Sequence, residues 1–354
     1  MAYRVVQWAT GAMGKTCLRA VIDHPDLELV GLFVYGSKKE GLDAGDIAHR
    51  ESTRVIATRS REEILALDAD LVIHAPRVQF PYAAHNEDIC RLLASGKNVI
   101  SINGHSYPAY HGSAYEKVFE DACRAGGSSL SCAGLNPGFV VDKIAAAATG
   151  VCTEIDSVSI REVYNCWEMP IADYVFGVLG MGSKPDDLKL GSGPLAELFE
   201  GQFAEQVSHL AHRLGLEPDR IEADHEVTTT PVDIHAVAGL VPAGTVAATN
   251  WRWHAVVDGE RFITFSINWI MDENLPGYED FKHWTIQIRG KPGLDISMDL
   301  VEPEDTSVRT KAVQYGVAGS VINSIPEVCE AKPGIFESPV FAPFRRRFST
   351  PEKK

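Results

Sequence analysis

The sequence has no long apolar run and no pattern of paired cysteines. Gly, Asp or Lys interrupts every apolar stretch before it reaches the roughly 20 residues that a membrane-spanning helix needs. The seven cysteines are an odd number without a CxxC pair, so we expect reduced, mostly buried thiols. The opening residues, MAYRVVQWATG, enter a strand-like run without a basic and then apolar leader. These absences predict a cytoplasmic protein with no membrane partner.

Positive charge and metal-ligand clusters are also scarce. There are 33 Lys and Arg residues against 48 Asp and Glu residues, a formal net charge of −15. A field of that sign repels phosphate backbones, so nucleic acid is not an expected partner. His209 and His212 stand far along the chain from His225 and His235, and no Cys, His, Asp or Glu group has ligand spacing. We therefore expect no metal.

The first part of the chain alternates between strand and helix patterns. At 354 residues the chain exceeds the size at which one core stops growing, about 250–300 residues, so two domains are expected. Strands are predicted at 3–8, 27–34, 70–74, 98–101 and 129–132. Helices are predicted at 12–21, 86–95 and 113–124. This α/β alternation predicts an N-terminal Rossmann domain, a doubly wound parallel sheet, over residues 1–148.

Strand patterns dominate the second part of the chain. Strands are predicted at 157–163, 245–258, 261–269 and 284–289, with a hairpin turn at Asp258-Gly259. We expect a C-terminal α+β domain over 149–310 with a mixed or antiparallel sheet that serves for substrate binding and dimerisation. Residues 311–354 are expected to form a helix and tail that return to the first domain. The runs at 251–253 and 265–269, which are rich in Trp and Ile, predict that one sheet face is buried in a homodimer.

A glycine turn follows the first strand. Residues 9–14 depart from GxGxxG only by Ala at the first glycine, and they stand between a strand and a helix as the dinucleotide fingerprint requires. Gly11 would let the backbone approach a pyrophosphate, and Gly14 would permit close packing of helix and strand. The predicted cofactor contacts here are Thr10, Gly11, Ala12, Met13 and Gly14. A glycine turn without a ligand is the alternative.

The residues after the second strand indicate which dinucleotide binds. Enzymes that use NAD usually carry an acidic residue there for the ribose 2′-hydroxyl. This sequence has Tyr35, Ser37, Lys38 and Lys39 instead, with no acid before Glu40. A hydroxyl and two ammonium groups suit a 2′-phosphate, so NADP(H) is the preferred cofactor and NAD(H) remains possible. The alternative is a solvated loop, the usual place for lysines.

Three further loops follow parallel strands, at the edge where such sheets bind ligands. Ala75, Pro76 and Arg77 are predicted cofactor contacts after the strand at 70–74. The loop that contains Asn103 and His105 is the expected first-domain source of catalytic side chains, and His105 has the side chain for acid/base chemistry near neutral pH. A histidine in a surface loop is the equal alternative.

Two more polar groups complete the set of candidates. Asn136, in the turn Gly134–Gly138, is placed to meet a nicotinamide carboxamide or a substrate, although Asn-Pro-Gly also forms simple turns. In the second domain Glu162, Glu168 and Asp173 surround an aromatic stretch. A carboxylate among aromatic rings suits amine binding or acid/base chemistry, and we single out Glu168. Solvated surface carboxylates are the alternative.

The sequence resembles the dihydrodipicolinate reductase-like oxidoreductases, the group that includes 2,4-diaminopentanoate dehydrogenase and the native amine dehydrogenases. The resemblance extends over essentially the whole chain and is most specific in the opening block. The matching stretches are Trp8–Ile47, Gly96–Ser101, Gly134–Asp142, Met181–Pro185 and Val321–Ile335.

The resemblance implies a Rossmann domain, a second domain whose sheet forms a dimer interface, and NAD(P)H-dependent reduction of a C=N bond. It implies dinucleotide contacts from four segments and a place for Asn136 beside the nicotinamide. These segments are Gly11–Gly14, Ser37–Lys39, Ala75–Arg77 and the Asn103 loop.

One departure from the family concerns the acid. Amine-forming members carry a glutamate in the loop after the strand matched by 99–101, whereas the loop Ile102–Ser106 has no carboxylate. Either Glu168, Asp173 or His105 replaces it, or the substrate differs. Three activities therefore stay open: reductive amination of a small ketone or aldehyde through an imine, reduction of the carbonyl itself, and dinucleotide sensing without turnover.

The first prediction tests the cofactor preference. Ser37→Ala combined with Lys38→Ala removes partners of a 2′-phosphate, and a hydrogen bond to a charged group contributes about 1.5–3 kcal/mol. We expect the NADPH/NADH ratio of kcat/KM to fall by roughly tenfold or more. Steady-state kinetics with both cofactors measure it. An unchanged ratio would mean that these two residues are solvated surface residues that do not contact the 2′-phosphate.

Overall fold

The chain folds into two compact units. The computed structural model describes residues 2–187, 190–192, 194–279, 281–304 and 310–347. The first unit comprises Met1–Lys143 and Leu300–Pro339, and the second comprises Ile144–Asp299 with the residues from Val340 onward. The division therefore falls five residues before the expected one at 148, and the described tail after 339 joins the second unit rather than the first. The tail packs there because Phe344 donates its backbone N–H to Thr149 Oγ1 at 3.0 Å.

The first unit is built on a parallel sheet. Its strands are β1 Tyr3–Trp8, β2 Leu27–Phe33, β3 Ala57–Thr58, β4 Leu71–His74, β5 Asn98–Ser101 and β6 Ser129–Cys132, with a last short strand at Gly334–Ile335. Its helices are α1 Ala12–Asp23, α2 Ala44–Ala48, α3 Arg61–Ala66, α4 Asn86–Ala94, α5 Ser113–Gly126 and a C-terminal helix at Ala312–Cys329. Short 3₁₀ turns lie at Ser37–Lys39, Tyr82–His85 and Pro108–His111.

The strand order of this sheet confirms the doubly wound architecture. From the edge strand Gly334–Ile335 the order runs β6, β5, β4, β1, β2 and β3, with every pairing parallel. All four residues of β4 are buried, as expected for a strand covered on both faces. The order reverses between β1 and β4, where Trp8 pairs with His74. Ligands of such sheets bind outside the carboxyl ends of the strands at this point.

The second unit contains a mixed six-stranded sheet. The strands of this unit are β7 Glu154–Asn165, β8 Arg220–Thr229, β9 Ile234–Ala236, β10 Gly239–Val241, β11 Val246–Val257, β12 Glu260–Ile270, β13 Trp284–Lys291 and β14 Leu294–Met298. The order in the six-stranded sheet is β14, β13, β7, β12, β11 and β8, and only β12 and β7 pair in parallel. Strands β9 and β10 form a separate hairpin. The predicted turn is confirmed, with φ of 53° at Asp258 and 82° at Gly259.

Helices cover the aromatic face of this sheet. Short helices of the unit are α6 Ala146–Ala148, α7 Pro194–Phe199 and α8 Glu205–Arg213, with wider helical turns at Asp173–Val178 and Glu200–Ala204 and 3₁₀ turns at Thr149–Val151 and Pro185–Asp187. The Phe203 ring lies 4.9 Å from Trp253 and 5.4 Å from Phe265, and Phe199 lies 5.2 Å from Trp251. Trp251 and Trp253 are each 1% exposed. The expectation that these residues need a second copy for burial is therefore wrong, because the chain's own helices cover them.

The opposite face of the sheet carries charged side chains in alternation. Asp224 forms ion pairs with Arg252 and with Arg261, the latter at 3.0 Å. Arg261 also lies 2.8 Å from Glu222. The His254 ring, buried beside them, has Nδ1 2.9 Å from Thr264 Oγ1. Charged cross-strand pairs stabilise a sheet, so this face is stable without an apolar cover.

The seven cysteines are free thiols, as expected. Burial raises the pKa of Cys17 and Cys166 to about 12, and that of Cys90 and Cys123 to about 11. None of the helices in the described part of the chain is long and apolar enough to cross a bilayer.

Candidate functional site

The turn between β1 and α1 requires glycine at position 14. A β-carbon on Gly14 would lie 2.4 Å from the carbonyl oxygen of Ala9, a distance that no real side chain tolerates. Ala9 itself has a positive φ of 74°, which turns the chain sharply from strand to helix. The sequence prediction that Gly14 permits close helix packing is consistent with this geometry.

Gly11 stands in open space at the start of α1. No atom lies within 4 Å of where its β-carbon would be, and its φ of −65° is ordinary. Gly11 and Ala12 are exposed, Met13 is half-buried and Thr10 is buried. The first turn of α1 has no side-chain cap and no acidic residue. Its N–H groups and their partial positive charge are therefore available to an anion.

The loop after β2 is held against this turn by Lys39. Its Nζ donates to the carbonyl oxygen and to Oγ1 of Thr10, both at 2.8 Å. Burial lowers the pKa of Lys39, and the nearby Lys15 lowers it further. Ser37 and Lys38 lie in the same short turn and are exposed. The glycine turn at residues 9–14 and the loop at residues 37–39, both predicted to bind the cofactor, are therefore in contact.

Arg59 is a cation of this region that sequence reasoning missed. Its Nε donates to the Tyr35 carbonyl at 3.0 Å, and its guanidinium lies 3.6 Å from Glu40. Tyr35 accepts a hydrogen bond at its hydroxyl from Trp8 Nε1 at 3.0 Å, and burial raises its pKa. Arg59 follows β3, which has only two residues, so its place at the carboxyl edge is not evident from a strand pattern.

The loops after β4 and β5 also meet. Asn103 Nδ2 donates to the Pro76 carbonyl at 2.8 Å, and the backbone N–H of Asn103 donates to Ser101 Oγ at 3.3 Å. The Arg77 carbonyl lies 3.0 Å from His85 Nε2, while Ala75 is buried and Arg77 is exposed. Two predicted cofactor segments are thus joined at one edge of the sheet.

His105 is buried rather than on a surface loop. Only 3% of it is exposed, and its φ of 69° is positive. Its Nε2 lies 3.0 Å from Asn86 Oδ1, and its Nδ1 lies 3.4 Å from Ser101 Oγ. Its ring stacks on Tyr82, whose hydroxyl accepts the His105 backbone N–H at 2.8 Å. This is the setting of a packed histidine, and its part in proton transfer stays a prediction.

His74 is an uncharged histidine at the switch point. Burial, and then the rings of His85 and His105, hold the pKa of His74 well below its usual range. Its two ring nitrogens have no hydrogen-bond partner among the described residues. The His74 ring therefore adds no positive charge to the cofactor region at neutral pH.

Asn136 lies after β6 in an irregular segment. The segment Leu135–Ala145 is extended at Asn136, with φ −151°, and turns at Gly138, where φ is 125°. Asn136 is half-buried, and the peptide bond that follows it is cis. It stands at the same carboxyl edge as the other loops of the first unit, and its contact with a nicotinamide stays a prediction.

The second-unit carboxylates differ in exposure. Glu168 and Asp173 are exposed, whereas Glu162 on β7 is 9% exposed. Glu162 Oε1 lies 3.7 Å from Nε2 of His283. In the described ranges no group of three or more His, Cys, Asp or Glu side chains could hold a metal ion.

These features of the first unit fit a nicotinamide dinucleotide. The open backbone at Gly11 and the uncapped start of α1 suit a pyrophosphate, and Lys39 and Arg59 supply positive charge nearby. The parallel sheet places all of them at its carboxyl edge. Fold and site together define the class of dinucleotide-dependent oxidoreductases.

Comparison with known families gives a more specific assignment. Residues 139–341, more than half of the chain, match the 2,4-diaminopentanoate dehydrogenase C-terminal domain. Residues 5–87 match the N-terminus of dihydrodipicolinate reductase. The chain belongs to the family defined by the 2,4-diaminopentanoate dehydrogenase C-terminal domain, which confirms the resemblance found in the sequence.

Individual relatives match over nearly their full length. An amine dehydrogenase of Streptomyces virginiae is 28% identical over 94% of each chain. A 2,4-diaminopentanoate dehydrogenase of Acetoanaerobium sticklandii is 24% identical, over 94% of this chain and 91% of its own. The structure of an amine dehydrogenase from Mycobacterium smegmatis has the same fold, with a TM-score of 0.73 and 18% identity over 95% of each chain. The protein is an NAD(P)-dependent oxidoreductase.

The second prediction separates two glycines of the turn. Gly11→Ala meets no atom within 4 Å, so we expect an unchanged melting temperature, but its methyl group would stand where we predict that the pyrophosphate approaches. We expect NADPH affinity to fall about tenfold or more, the cost of a lost charge-assisted hydrogen bond. Gly14→Ala instead lowers the melting temperature, because its β-carbon collides with Ala9.

Fluorescence titration with NADPH and thermal melting measure the two effects. Gly319→Ala, which also meets no atom within 4 Å and lies in the C-terminal helix of the same unit, is the matched control. Wild-type NADPH affinity in Gly11→Ala contradicts the proposed approach of the pyrophosphate.

Proposed function

We propose that the protein is an amine dehydrogenase that prefers NADP(H) and reduces the C=N bond formed from a small ketone or aldehyde and ammonia. The observation that carries this proposal is the match, over 94% of both chains, to an amine dehydrogenase. The 2,4-diaminopentanoate dehydrogenase match supports it. A bound nicotinamide supplies the hydride donor or acceptor for this chemistry.

The preference for NADP(H) rests on charge beside the ribose end of the expected site. Lys39 and Arg59 lie around the turn that contains Ser37 and Lys38. The acid of this segment, Glu40, lies 3.6 Å from Arg59, so these two charges offset each other, and Lys38 and Lys39 remain as the cations of the turn. Cations and a hydroxyl group suit a 2′-phosphate. A ribose 2′-hydroxyl would instead donate a hydrogen bond to a carboxylate.

The nicotinamide end is proposed to lie among the loops after β4, β5 and β6. The Asn103 side chain holds the β4 and β5 loops together through the Pro76 carbonyl. Asn136 adds an amide that can both donate and accept at the carboxamide of the ring. We propose that these residues bind and orient the nicotinamide ring. His105 holds the Asn103 loop in place through contacts of its ring nitrogens with Ser101 and Asn86.

Reduction of the carbonyl without ammonia is the second candidate. It is favoured by one observation, the lack of a carboxylate in the loop Ile102–Ser106. A carbonyl reductase needs a proton donor for the developing alkoxide but no group that activates ammonia.

We also propose that the protein is a cytoplasmic homodimer. Seven cysteines that form no disulfide suit a reducing compartment. The sheet face that carries Arg252, Asp224 and Arg261 is the face we propose for a two-fold pairing with a second copy. Light scattering of the purified protein is expected to give the dimer mass, and a monomer at micromolar concentration contradicts the proposal.

The assay that tests the activity follows NADPH absorbance with a panel of small ketones and aldehydes. We expect NADPH oxidation that depends on ammonia, and NADP⁺ reduction by the corresponding amines. Oxidation at full rate without ammonia supports the carbonyl reductase instead. NADPH binding without turnover in either direction supports a sensor and contradicts both enzymatic proposals.

The same assay separates two roles of His105. If His105 only positions the loop, His105→Gln keeps hydrogen bonds toward Asn86 and Ser101 and retains most of kcat, whereas His105→Ala loses it. If His105 transfers the proton, both variants lose roughly 10²–10⁴ in kcat. Because the ring is buried with both nitrogens engaged, we expect the first result.

A further inference from the structure

The turn after β2 brings Glu40 and Arg59 together at the carboxyl edge of the first sheet. The backbone N–H groups of Val34 and Gly41, on either side of this turn, donate to carbonyl oxygens of β3 at 2.9 and 2.8 Å. Both ends of the turn are therefore held along β3. Glu40, which precedes Gly41, lies beside Arg59, which directly follows β3.

The Arg59 side chain is partly engaged and partly exposed. Its Nε donates to the Tyr35 carbonyl at 3.0 Å, and its Nη1 lies 3.6 Å from Glu40 Oε2. The side chains of Arg59 and Glu40 are each 49% exposed. A guanidinium has five N–H donors in a planar fork, so these two contacts leave donors over for a ligand.

The cationic neighbours of Arg59 have other partners. The Nζ of Lys39 donates to two oxygens of Thr10, both at 2.8 Å. Arg61 forms a two-point ion pair with the buried carboxylate of Asp88. Lys39 and Arg61 therefore hold parts of the first unit together, whereas Arg59 pairs with a carboxylate that is itself half exposed.

We propose that Arg59 and Glu40 recognise the 2′ position of the cofactor's adenosine ribose in opposite senses. Arg59 leaves Glu40 and binds the 2′-phosphate of NADP(H), with which a guanidinium forms two parallel hydrogen bonds. Glu40 instead accepts a hydrogen bond from the 2′-hydroxyl of NAD(H). This inference rests on the proposed cofactor site, and it adds a guanidinium from another strand to the turn of Ser37 and Lys38.

Glu40 acts against NADP(H) in this arrangement. A phosphate monoester carries more than one negative charge at neutral pH, and the carboxylate repels it. An exposed ion pair contributes little stability, so a phosphate can take Arg59 from Glu40 at small cost. Removal of Arg59 and removal of Glu40 therefore have opposite effects on the binding of a 2′-phosphate. A pair that only stabilises the loop would give two effects of the same sign.

Calorimetric titration of the full-length protein with two adenine nucleotides tests this assignment. Adenosine 2′,5′-bisphosphate represents the adenosine half of NADP(H), and adenosine 5′-monophosphate represents that of NAD(H). The two probes differ only in the 2′-phosphate. The measured quantity is the dissociation constant of the monophosphate divided by that of the bisphosphate. Neither probe carries a nicotinamide, so this ratio does not depend on turnover.

The two variants are expected to move this ratio in opposite directions. Arg59→Gln removes the guanidinium and is expected to lower the ratio roughly tenfold to a hundredfold, the range for a hydrogen bond to a charged group. Glu40→Gln removes the competing charge and is expected to raise the ratio roughly twofold to fivefold, since an exposed ion pair contributes little. Misfolding does not raise an affinity, so Glu40→Gln tests the proposal even if Arg59→Gln fails to fold.

Arg124→Gln is the matched control. Arg124 is exposed near the end of α5 and lies 3.3 Å from Asp121. Helix α5 leads into the start of β6, so Arg124 lies toward the opposite edge of the sheet. The variant loses the same charge as Arg59→Gln and is expected to leave the ratio unchanged. It separates contact with the phosphate from a change in net charge.

Two results overturn the proposal. One is a ratio that folded Arg59→Gln leaves unchanged, and the other is a ratio that Glu40→Gln fails to raise. Failure of the proposed NADP(H) preference gives a different result, in which the wild type does not favour the bisphosphate although both variants shift the ratio as expected. A wild type that favours the bisphosphate without dependence on Arg59 leaves that preference intact and contradicts only the role of Arg59.

Discussion

The close approach of α1 to the carbonyl of Ala9 is the constraint on which the cofactor region depends. With glycine at 14 the helix begins directly against the end of β1, at the reversal of the strand order. A larger residue there would push the helix start away from the sheet edge. The packing of Gly14 against the carbonyl of Ala9, a contact between uncharged groups, therefore sets the direction in which the first N–H groups of α1 point.

Parallel pairing then gathers the remaining groups. Since all strands of the first sheet run the same way, the segments after β2, β3, β4, β5 and β6 leave from a single edge. The bond from Lys39 to Thr10 and the bond from Asn103 to Pro76 join neighbouring loops pairwise across that edge. The loops support one another, so the geometry of each depends on the next.

Much of this arrangement could be predicted from the sequence, because short local patterns of residues specify it. Strand β5 was predicted to the residue, since Asn98–Ser101 has Val99 and Ile100 at its centre and follows a glycine that ends a helix. Arg59 was missed because β3 is too short to show a period. The covering of Trp251 and Trp253 was missed because periodicity says which residues are buried but not by what.

The pairing of Glu162 with His283 has no sequence signal at all. The two residues are distant along the chain and meet only because β7 and β13 are neighbours in the sheet. Of the three carboxylates around the aromatic stretch, the sequence singled out Glu168, which is exposed. Only strand register distinguishes them, and register between distant strands cannot be derived from the sequence of either strand.

The buried thiols have a practical consequence. The thiolate is the reactive form of cysteine, and pKa values of about 11 to 12 leave almost none of it at neutral pH for Cys17, Cys90, Cys123 and Cys166. A cysteine engineered at an exposed position would have an ordinary pKa and would react with maleimide or a spin label far faster than these four. Distances between labelled sites can then be measured with these native cysteines left in place.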